Sequence, residues 1–328
     1  MSDKIHIAID GCEANVTQRV GSNVYAFNII KQISNLLRYK KKTRATVLLS
    51  QKPVADMPKE RINWQYKIVK PDKFWTQWAE PWHLFFQQNN YDVLYTPGHY
   101  APRLCPIPYV SSVMDLAFLQ YQHQFRQTDL FQLEKWTKYS VKKASKVIAI
   151  SQFTKKEIHQ HYGVNPQNII VAYPDVSLNL KETAPARKKA YFKKHGISQP
   201  YFLFVGTLQP RKNLVGLIQA YELFCEKQTG EKPLPKLVIA GKIGWLAEPI
   251  LQKIKNSPVR GHIILTSFVP TAIKPILIKN ALALTLVGLY EGFGIPALEA
   301  LYLNTIPIVS ESSSLPEVVG KAGLKVDP

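Results

Sequence analysis

Short apolar runs alternate with amphipathic stretches along the first half of the chain. The runs have the length and composition of buried strands, and the stretches between them repeat at helical spacing. This pattern predicts strands at residues 5–10, 45–49, 93–95, 109–113, 146–150 and 169–171. It also predicts a helix that opens at Gly21-Ser22-Asn23, with the serine or the asparagine as its N-cap, and helices over residues 75–88 and 129–144. Alternation of this kind is typical of a parallel sheet with helices on both faces.

A second series of the same kind follows a charged stretch at residues 175–199, in which the periodicity is lost. It predicts strands at residues 201–205, 236–240, 263–265, 281–287 and 306–309, and a helix from residue 213 to about 227. We therefore predict an α/β protein with two doubly wound domains, residues 1–180 and 181–328. In such folds a ligand binds at the carboxyl ends of the strands, here in a cleft between the domains.

Two carboxylates flank a glycine-rich turn after the predicted strand at 281–287. Glu291 ends the apolar run, Gly292 and Gly294 let the backbone approach a ligand, and Glu299 is expected in the first turn of the next helix. Glu299 can accept hydrogen bonds from a vicinal diol such as a ribose, and Glu291 from a second sugar. An ordinary turn with two solvated glutamates is the alternative.

Adjacent cations follow the strand at 201–205 in the same way. Gly206 forms the turn, and Arg211-Lys212 precede the next helix. A fixed Arg and Lys beside a helix start suit a diphosphate, whereas a solvated basic pair is the alternative. The chain contains no Asp-x-Asp string, so we expect no metal and no cofactor, and these cations would stabilise a diphosphate leaving group alone.

Composition places the chain among globular proteins. Its 328 residues are 46% hydrophobic and 20% charged, which is enough for two domain cores. No apolar stretch resembles a signal or a transmembrane segment, so we expect a cytoplasmic protein. Three widely spaced cysteines support neither a disulfide framework nor a zinc site and are expected to be small buried side chains.

The formal net charge of +19 is spread over both halves of the chain. It is concentrated in one segment, which contains no acidic residue between its cations Lys31, Arg38, Lys40, Lys41, Lys42 and Arg44. This basic end of the first helix could rest on anionic lipid at the inner membrane face or on an acidic polymer, and a solubilising surface is the alternative. No aromatic and basic motif supports nucleic-acid binding.

Trp75, Trp78 and Trp82 are spaced three and four residues apart on the predicted helix at 75–88. This spacing places them on one helix face. We expect that face to pack into the core, with a platform for a sugar ring as the alternative.

Four strings in the second half, taken in order, resemble the motifs of the retaining glycosyltransferases of family 4, also called group 1. They are Val205-Gly206-Thr207-Leu208 with Pro210-Arg211-Lys212-Asn213-Leu214, Ala240-Gly241-Lys242 with Gly244-Trp245, Tyr290-Glu291-Gly292-Phe293-Gly294-Ile295-Pro296 with Leu298-Glu299-Ala300, and Ser314-Leu315-Pro316-Glu317-Val318-Val319-Gly320. In the first half, Ile7-Ala8-Ile9-Asp10, Gly21-Ser22-Asn23-Val24-Tyr25 and Ala149-Ile150-Ser151 are more weakly similar.

The resemblance implies the GT-B fold, in which two Rossmann-like domains face each other across a cleft. It also implies transfer of a sugar from a nucleotide diphosphate to an acceptor hydroxyl with retention of configuration, in cell-envelope polysaccharide or glycolipid synthesis. By this resemblance, Arg211 and Lys212 hold the diphosphate and Glu299 the ribose, while Glu291 and the Gly292-Phe293-Gly294-Ile295 backbone hold the donor sugar. Gly21 and Asp115 would lie near the phosphates or the acceptor.

The sequence departs from the family pattern at Val287-Gly288-Leu289, where relatives often have Pro-Ser, at Asn304, where a glycine is common, and at two places that bear more directly on function. Relatives carry a His-Asp pair where this chain has Met114-Asp115, and a thioether is no useful proton donor or acceptor. His99 is the nearest replacement, and a catalytically silent nucleotide-sugar-binding protein is the alternative function. Relatives also continue beyond the position of Pro328 with helices, so we expect the C-terminal domain to be truncated.

Overall fold

The computed structural model of the protein describes residues 4–19, 21–98, 100–176, 185–228 and 233–328. They form two compact units, and each unit is built from two separate segments of the chain. Unit 1 comprises Met1–Leu116 and Gln127–Pro174, and unit 2 comprises Ala117–Arg126 and Asp175–Pro328. The short segment Ala117–Arg126, which the sequence places in the first half, therefore packs with unit 2.

Unit 1 contains a parallel sheet whose described strands number seven, in the order β3-β2-β1-β4-β5-β6-β7. The strands are β1 (Ile5–Asp10), β2 (Thr43–Leu49), β3 (Trp64–Ile68), β4 (Val93–Thr96), β5 (Tyr109–Val113), β6 (Lys146–Ala149) and β7 (Ile169–Val171). The helices are α1 (Ser22–Leu37), α2 (Glu80–Phe86), α4 (Gln127–Lys143) and α5 (Gln152–Tyr162). The strand order reverses between β1 and β4, as in a Rossmann fold.

Unit 2 has a parallel sheet of the same kind, with six described strands in the order β10-β9-β8-β11-β12-β13. The strands are β8 (Tyr201–Val205), β9 (Lys236–Ala240), β10 (Ile263–Leu265), β11 (Ala283–Leu286), β12 (Ile306–Ser310) and β13 (Leu324–Val326). The helices are α3 (Ala117–Gln120), α6 (Pro185–His195), α7 (Leu214–Glu226), α8 (Glu248–Lys255), α9 (Lys274–Lys279), α10 (Ile295–Tyr302) and α11 (Leu315–Val319). The strand order reverses between β8 and β11, so both units are doubly wound as predicted.

The core of unit 2 lies between its sheet and these helices. The central strands β8 and β11 pair with Ala283 opposite Phe202 and Leu284 opposite Leu203. Leu203 and Leu284 are fully buried, and burying a leucine contributes about 1.5–3 kcal/mol. Helices cover both faces of this sheet, so its central strands are apolar along their length. This is why the apolar runs in the sequence predicted these strands.

The structure corrects the sequence-based elements at four places. It adds the edge strands β3 and β13, whose alternating or exposed side chains do not form an apolar run. A helix, α6, occupies part of the stretch that lost its periodicity. Gly21, and not Ser22 or Asn23, caps α1. Cys225 is buried, whereas Cys12 and Cys105 are only partly buried.

The tryptophan face is the largest correction. Trp75 is buried, but Trp78 and Trp82 are 58% and 54% exposed, so the predicted core packing of all three is wrong. Residues Trp75–Ala79 form a π-helical turn ahead of α2, and this wider turn changes the angular spacing along the helix. Among the described residues, no helix combines the length and the hydrophobicity that crossing a bilayer requires.

Candidate functional site

Two loops meet at the point where the strand order of unit 2 reverses. One follows β8 and carries Arg211, and the other follows β11 and carries Tyr290. The backbone N–H of Leu289 donates to the carbonyl of Arg211 at 2.9 Å, and Arg211 Nη1 donates to the carbonyl of Tyr290 at 3.1 Å. The carboxyl ends of neighbouring strands thus bring the two predicted motifs together, as in other doubly wound folds.

Arg211 and Lys212 converge on Glu291. The ammonium group of Lys212 contacts Oε1 of Glu291, and Arg211 Nη1 lies 3.6 Å from Oε2. Glu291 is only 6% exposed, so the alternative of a solvated glutamate is wrong at this position. The pair of cations outnumbers the carboxylate, and a further anion can therefore bind beside it.

Serine side chains hold the backbone of Glu291 in place. Its N–H donates to Ser313 Oγ at 2.9 Å, and Ser314 Oγ donates to its carbonyl at 2.7 Å. The chain then turns at Gly294, whose φ of +97° favours glycine, and enters α10. A Cβ on Gly294 would lie 2.5 Å from Leu315 Cδ2, so the buried Leu315 side chain would have to move to accommodate one.

Glu299 lies on α10 in the second turn, one turn later than predicted. It is 4% exposed, and the ammonium group of Lys274 contacts its Oε1. Its Oε2 has no hydrogen-bond partner within the part of the chain that the structure describes. Burial raises the pKa of Glu299, and the Lys274 cation opposes that rise. A buried carboxylate oxygen without a donor is costly to the fold and suits a ligand hydroxyl.

Lys274 was missed by the sequence analysis. It begins α9, 25 residues before Glu299 in the chain, and no motif links the two positions. A lysine in the first turn of a short helix is not a signal of function, so only the tertiary contact identifies it.

The segment Ala117–Arg126 supports the same loop from within unit 2. Tyr121 packs edge-to-face on Tyr290 with ring centroids 6.0 Å apart, and its hydroxyl donates to the carbonyl of Leu289 at 3.5 Å. Trp245 Nε1 donates to the carbonyl of Gln124 at 2.6 Å. The contacts of Tyr121 hold the backbone immediately before Glu291 in place. The local sequence of the segment does not predict them.

The remaining predicted site residues belong to unit 1. Gly21 has a φ of +51° at the start of α1, with open space around the position of a Cβ. Ser22 Oγ and Asn23 Nδ2 donate to Oε1 of Glu13 at 2.5 and 2.9 Å, which fixes this loop. Met114 is 7% exposed after β5 and precedes Asp115, while His99 lies outside the described residues.

Within the described ranges, no group of three or more His, Cys, Asp or Glu side chains has the geometry to hold a metal ion. Among the described residues, Arg211 and Lys212 form ion pairs with Glu291, and Lys274 forms one with Glu299. Together these groups can bind a polyol through carboxylate oxygens and an anion through the side chains of Arg211 and Lys212.

Two family models match the chain, one in each half. The model described as Glycosyltransferase Family 4 matches residues 44–180, and the model described as Glycosyl transferases group 1 matches residues 187–327. The chain belongs to the group 1 glycosyltransferases. The Arg211-Lys212-Glu291 cluster and Glu299 lie within the second of these matches.

Curated relatives of this group 1 chain include enzymes of bacterial surface polysaccharides. The O-antigen chain mannosyltransferase B of Escherichia coli is 32% identical over 197 residues, which are 60% of this chain and 51% of the relative. The O-antigen chain mannosyltransferase RfbU of Salmonella typhimurium is 27% identical over 66% of this chain and 56% of the relative. The alignments thus span about half the length of these relatives.

Solved structures of GT-B glycosyltransferases share the fold. The Anabaena protein Alr3699/HepE, in complex with UDP and glucose, superposes with a TM-score of 0.71 at 18% identity, over 99% of this chain and 86% of that one. WaaG, a glycosyltransferase involved in lipopolysaccharide biosynthesis, superposes with a TM-score of 0.65 at 13% identity, over 98% and 86%. These structures confirm the predicted GT-B fold, and the two family models confirm the family resemblance.

Proposed function

We propose that this chain is a retaining glycosyltransferase that moves a hexose from a nucleoside-diphosphate sugar to an acceptor hydroxyl in cell-envelope polysaccharide or glycolipid synthesis. The observation that carries the proposal is the site of unit 2, where Arg211 and Lys212 contact buried Glu291 and the buried Oε2 of Glu299 lacks a donor. The O-antigen mannosyltransferases among the relatives and the UDP and glucose bound by Alr3699/HepE support it.

In this proposal the nucleotide binds across the carboxyl ends of β8 and β11. Arg211 and Lys212 take the diphosphate, with Gly206 leaving room for the backbone to approach. Glu299 accepts hydrogen bonds from the ribose diol through Oε2, and Lys274 keeps that carboxylate ionised. Unit 2, which contains the C-terminal domain predicted at residues 181–328, is thus the proposed donor domain.

The donor sugar lies against Glu291 and the turn Gly292-Phe293-Gly294-Ile295. Carboxylate oxygens accept hydrogen bonds from sugar hydroxyls, and the start of α10 favours negative charge on the departing phosphate. The bond between the anomeric carbon and the phosphate oxygen breaks, and a bond to the acceptor oxygen forms on the same face. The acceptor proton passes to the leaving diphosphate, whose charge Arg211 and Lys212 neutralise without a metal.

Unit 1 is the proposed acceptor domain, with Gly21 and Asp115 near the phosphates or the acceptor. The glycine conformation and the Glu13 contacts of the loop before α1 support a fixed backbone at Gly21. His99 stays the predicted replacement for the histidine that Met114 displaces.

A transfer assay tests the proposed function. The chain is incubated with radiolabelled GDP-mannose, UDP-glucose and other nucleotide sugars, with alkyl mannoside and alkyl glucoside acceptors, and with EDTA in parallel. We expect transfer from one donor, unaffected by EDTA, with the donor's anomeric configuration retained in the product by NMR. An inverted product would overturn the retaining mechanism, and loss of transfer with EDTA would overturn metal independence.

The alternative function is a catalytically silent nucleotide-sugar-binding protein. Met114 favours it, because this buried thioether stands where relatives carry a histidine. Binding of a nucleotide sugar without transfer or hydrolysis, unchanged in Met114→His, would support this alternative against the enzyme. Turnover by the unaltered chain would exclude it.

A further inference from the structure

The backbone of residues 288–291, here called the Glu291 loop, is held by side chains of other elements. The carbonyl group of each of its residues accepts a hydrogen bond from a side chain: Gly288 from Ser310 Oγ at 2.5 Å, Leu289 from Ser312 Oγ at 3.2 Å, Tyr290 from Arg211 Nη1 at 3.1 Å, and Glu291 from Ser314 Oγ at 2.7 Å. These side chains satisfy backbone groups that a helix or a strand ladder satisfies elsewhere, and they therefore set the conformation of the loop.

The serine donors belong to one turn of unit 2. Ser310 ends β12, and Ser312 and Ser314 lie between that strand and α11. Ser313, in the same turn, has a φ of +54°, and its Oγ accepts from the N–H of Glu291 at 2.9 Å. A residue other than glycine persists in this region of φ only when surrounding contacts impose it. The turn is thus shaped to hold the Glu291 loop.

A second support of the loop comes from a distant part of the chain. The ring of Tyr121 packs edge-to-face on Tyr290, which is only 1% exposed, with centroids 6.0 Å apart. The Tyr121 hydroxyl also reaches the carbonyl of Leu289, at 3.5 Å. A hydrogen bond of that length is weak, so the contact between the two rings is the main part of this support.

The segment that carries Tyr121 is itself anchored in unit 2. Trp245 Nε1 donates to the carbonyl of Gln124 at 2.6 Å, and the rings of Phe125 and Trp245 lie 6.0 Å apart. The chain on both sides of the segment Ala117–Arg126 belongs to unit 1. Connections from a strand to the next helix are usually short, about two to six residues. The fold of unit 1 therefore does not require this excursion, whereas the Glu291 loop uses it.

We propose that Tyr121 is a positioning residue, which acts through Tyr290 to set Glu291 in the orientation that receives the donor sugar. This role rests on the proposed function, in which Glu291 and the turn after it hold that sugar. The nucleotide is held there by residues on other elements, Arg211, Lys212 and Glu299. Loss of Tyr121 should therefore affect the sugar more than the nucleotide.

Kinetics of three variants of the full chain test the proposal. Tyr121→Ala removes the ring, Tyr121→Phe removes only the hydroxyl, and Tyr302→Ala is the matched control, at a tyrosine that is 61% exposed at the end of α10. Transfer is measured from GDP-mannose or UDP-glucose, whichever the unaltered chain uses, and binding of the corresponding GDP or UDP by calorimetry.

The effect on transfer should exceed the effect on nucleotide binding. We expect kcat of Tyr121→Ala to fall about 10- to 100-fold, because a small displacement of a sugar-positioning group has an effect of this size, and Kd for GDP or UDP to stay within about threefold. Tyr121→Phe should keep kcat within about threefold, since only a weak hydrogen bond is lost. Tyr302→Ala should leave kcat and Kd unchanged.

Hydrogen–deuterium exchange gives a second readout that needs no substrate. The N–H groups of Leu289 and Glu291 donate to the Arg211 carbonyl and to Ser313 Oγ, so a loosened loop exposes them to solvent. In Tyr121→Ala, the peptide that contains residues 289–291 should exchange about 2- to 10-fold faster, which is the size expected for a lost aromatic pair. Peptides that cover β8 and β11 should exchange as in the unaltered chain.

Unchanged exchange at residues 289–291 in Tyr121→Ala would overturn the proposal. So would a loss of GDP or UDP binding as large as the loss of transfer, because it would show a general destabilisation of unit 2, or an equal effect of Tyr302→Ala. Absence of transfer by the unaltered chain would instead contradict the proposed function, and the exchange of the Glu291 loop would still decide whether Tyr121 positions it.

Discussion

The ammonium group of Lys274 contacts Oε1 of Glu299, while Oε2 of the same buried carboxylate has no hydrogen-bond partner in the described part of the chain. One oxygen is thus held by a cation and the other is available to a ligand. Burial raises the pKa of Glu299, and the cation limits that rise. The ion pair therefore favours the carboxylate form, which accepts hydrogen bonds from a diol.

Removal of this cation should make nucleotide binding depend on pH. In Lys274→Met the pKa of Glu299 rises further, so more of the carboxyl is protonated at neutral pH and the ribose loses an acceptor. We expect affinity for the preferred nucleoside diphosphate to fall about tenfold at pH 7, the equivalent of one charge-assisted hydrogen bond, and to recover as the pH rises. Calorimetric titrations between pH 6 and 9 measure this.

Lys274→Arg is the control, since it keeps the positive charge beside Glu299. It should bind within a few-fold of the unaltered chain at every pH. An equal, pH-independent loss in both variants would contradict the proposed role of Lys274.

Removing only Lys212 from its ion pair with Glu291 should cost more stability than removing both charges together. Glu291 is buried, so Lys212→Met leaves its charge with Arg211 at 3.6 Å as the remaining cation. We expect the variant to lose about 3 kcal/mol of stability, the size typical of a broken buried ion pair. Lys212→Met/Glu291→Gln should recover most of that loss, and a double-mutant cycle on urea unfolding of unit 2 checks it.

How far the sequence predicted the site depended on whether a contact is local. Arg211, Lys212 and Glu291 follow strands, so the chain pattern predicted their positions, and parallel strands bring such ends together. The pattern also predicted Glu299 on the following helix, but one turn too early. Lys274 and Tyr121 contact the same site from distant segments, and no periodicity records those contacts. Trp78 and Trp82 were misplaced because the π-helical turn at Trp75–Ala79 changes the spacing on which the prediction depended.

Gly294 should be the least replaceable residue of the turn before α10. Its φ is +97°, and a Cβ would lie 2.5 Å from Leu315. We expect Gly294→Ala to cost about 2–4 kcal/mol through strain and overpacking. Gly261→Ala, at a position with open space and without a positive φ, should be within about 0.5 kcal/mol of the unaltered chain, as at most surface sites.

Unfolding by urea, followed by circular dichroism, compares these two glycine variants. A loss below 1 kcal/mol in Gly294→Ala would show that the turn relaxes, and the geometry described for the Glu291 loop would then be wrong.

Buried carboxyl groups in unit 1 should make its stability depend on pH. Glu80 is fully buried, and neither of its oxygens has a hydrogen-bond partner among the described residues. Burial, with the nearby Asp10 carboxyl, raises the pKa of Glu80 well above its usual range, and burial also raises the pKa of Asp10 to about 6. The folded state thus holds protons that the unfolded chain releases.

Groups of this kind contribute stability that is complete below their unfolded pKa values and is lost as the pH rises through the folded values. Glu80→Gln removes one such group. The Tm of this variant, relative to that of the unaltered chain, should therefore increase as the pH rises from 5 to 8. A difference of 1 kcal/mol corresponds to roughly 2–4 °C in a domain of this size. Scanning calorimetry measures the two curves, and parallel curves would contradict a raised pKa for Glu80.

Calorimetric titration with nucleoside diphosphates tests the central claim, a donor site in unit 2, most directly. UDP, GDP, ADP and TDP are titrated into the unaltered chain, Lys212→Met and Lys255→Met, whose lysine is exposed at the end of α8. We predict that one nucleotide binds, that Lys212→Met weakens it about 10- to 100-fold, as expected for a lost charge-assisted contact, and that Lys255→Met leaves it unchanged. Binding of none of the four, or equal binding by all three proteins, would contradict the claim.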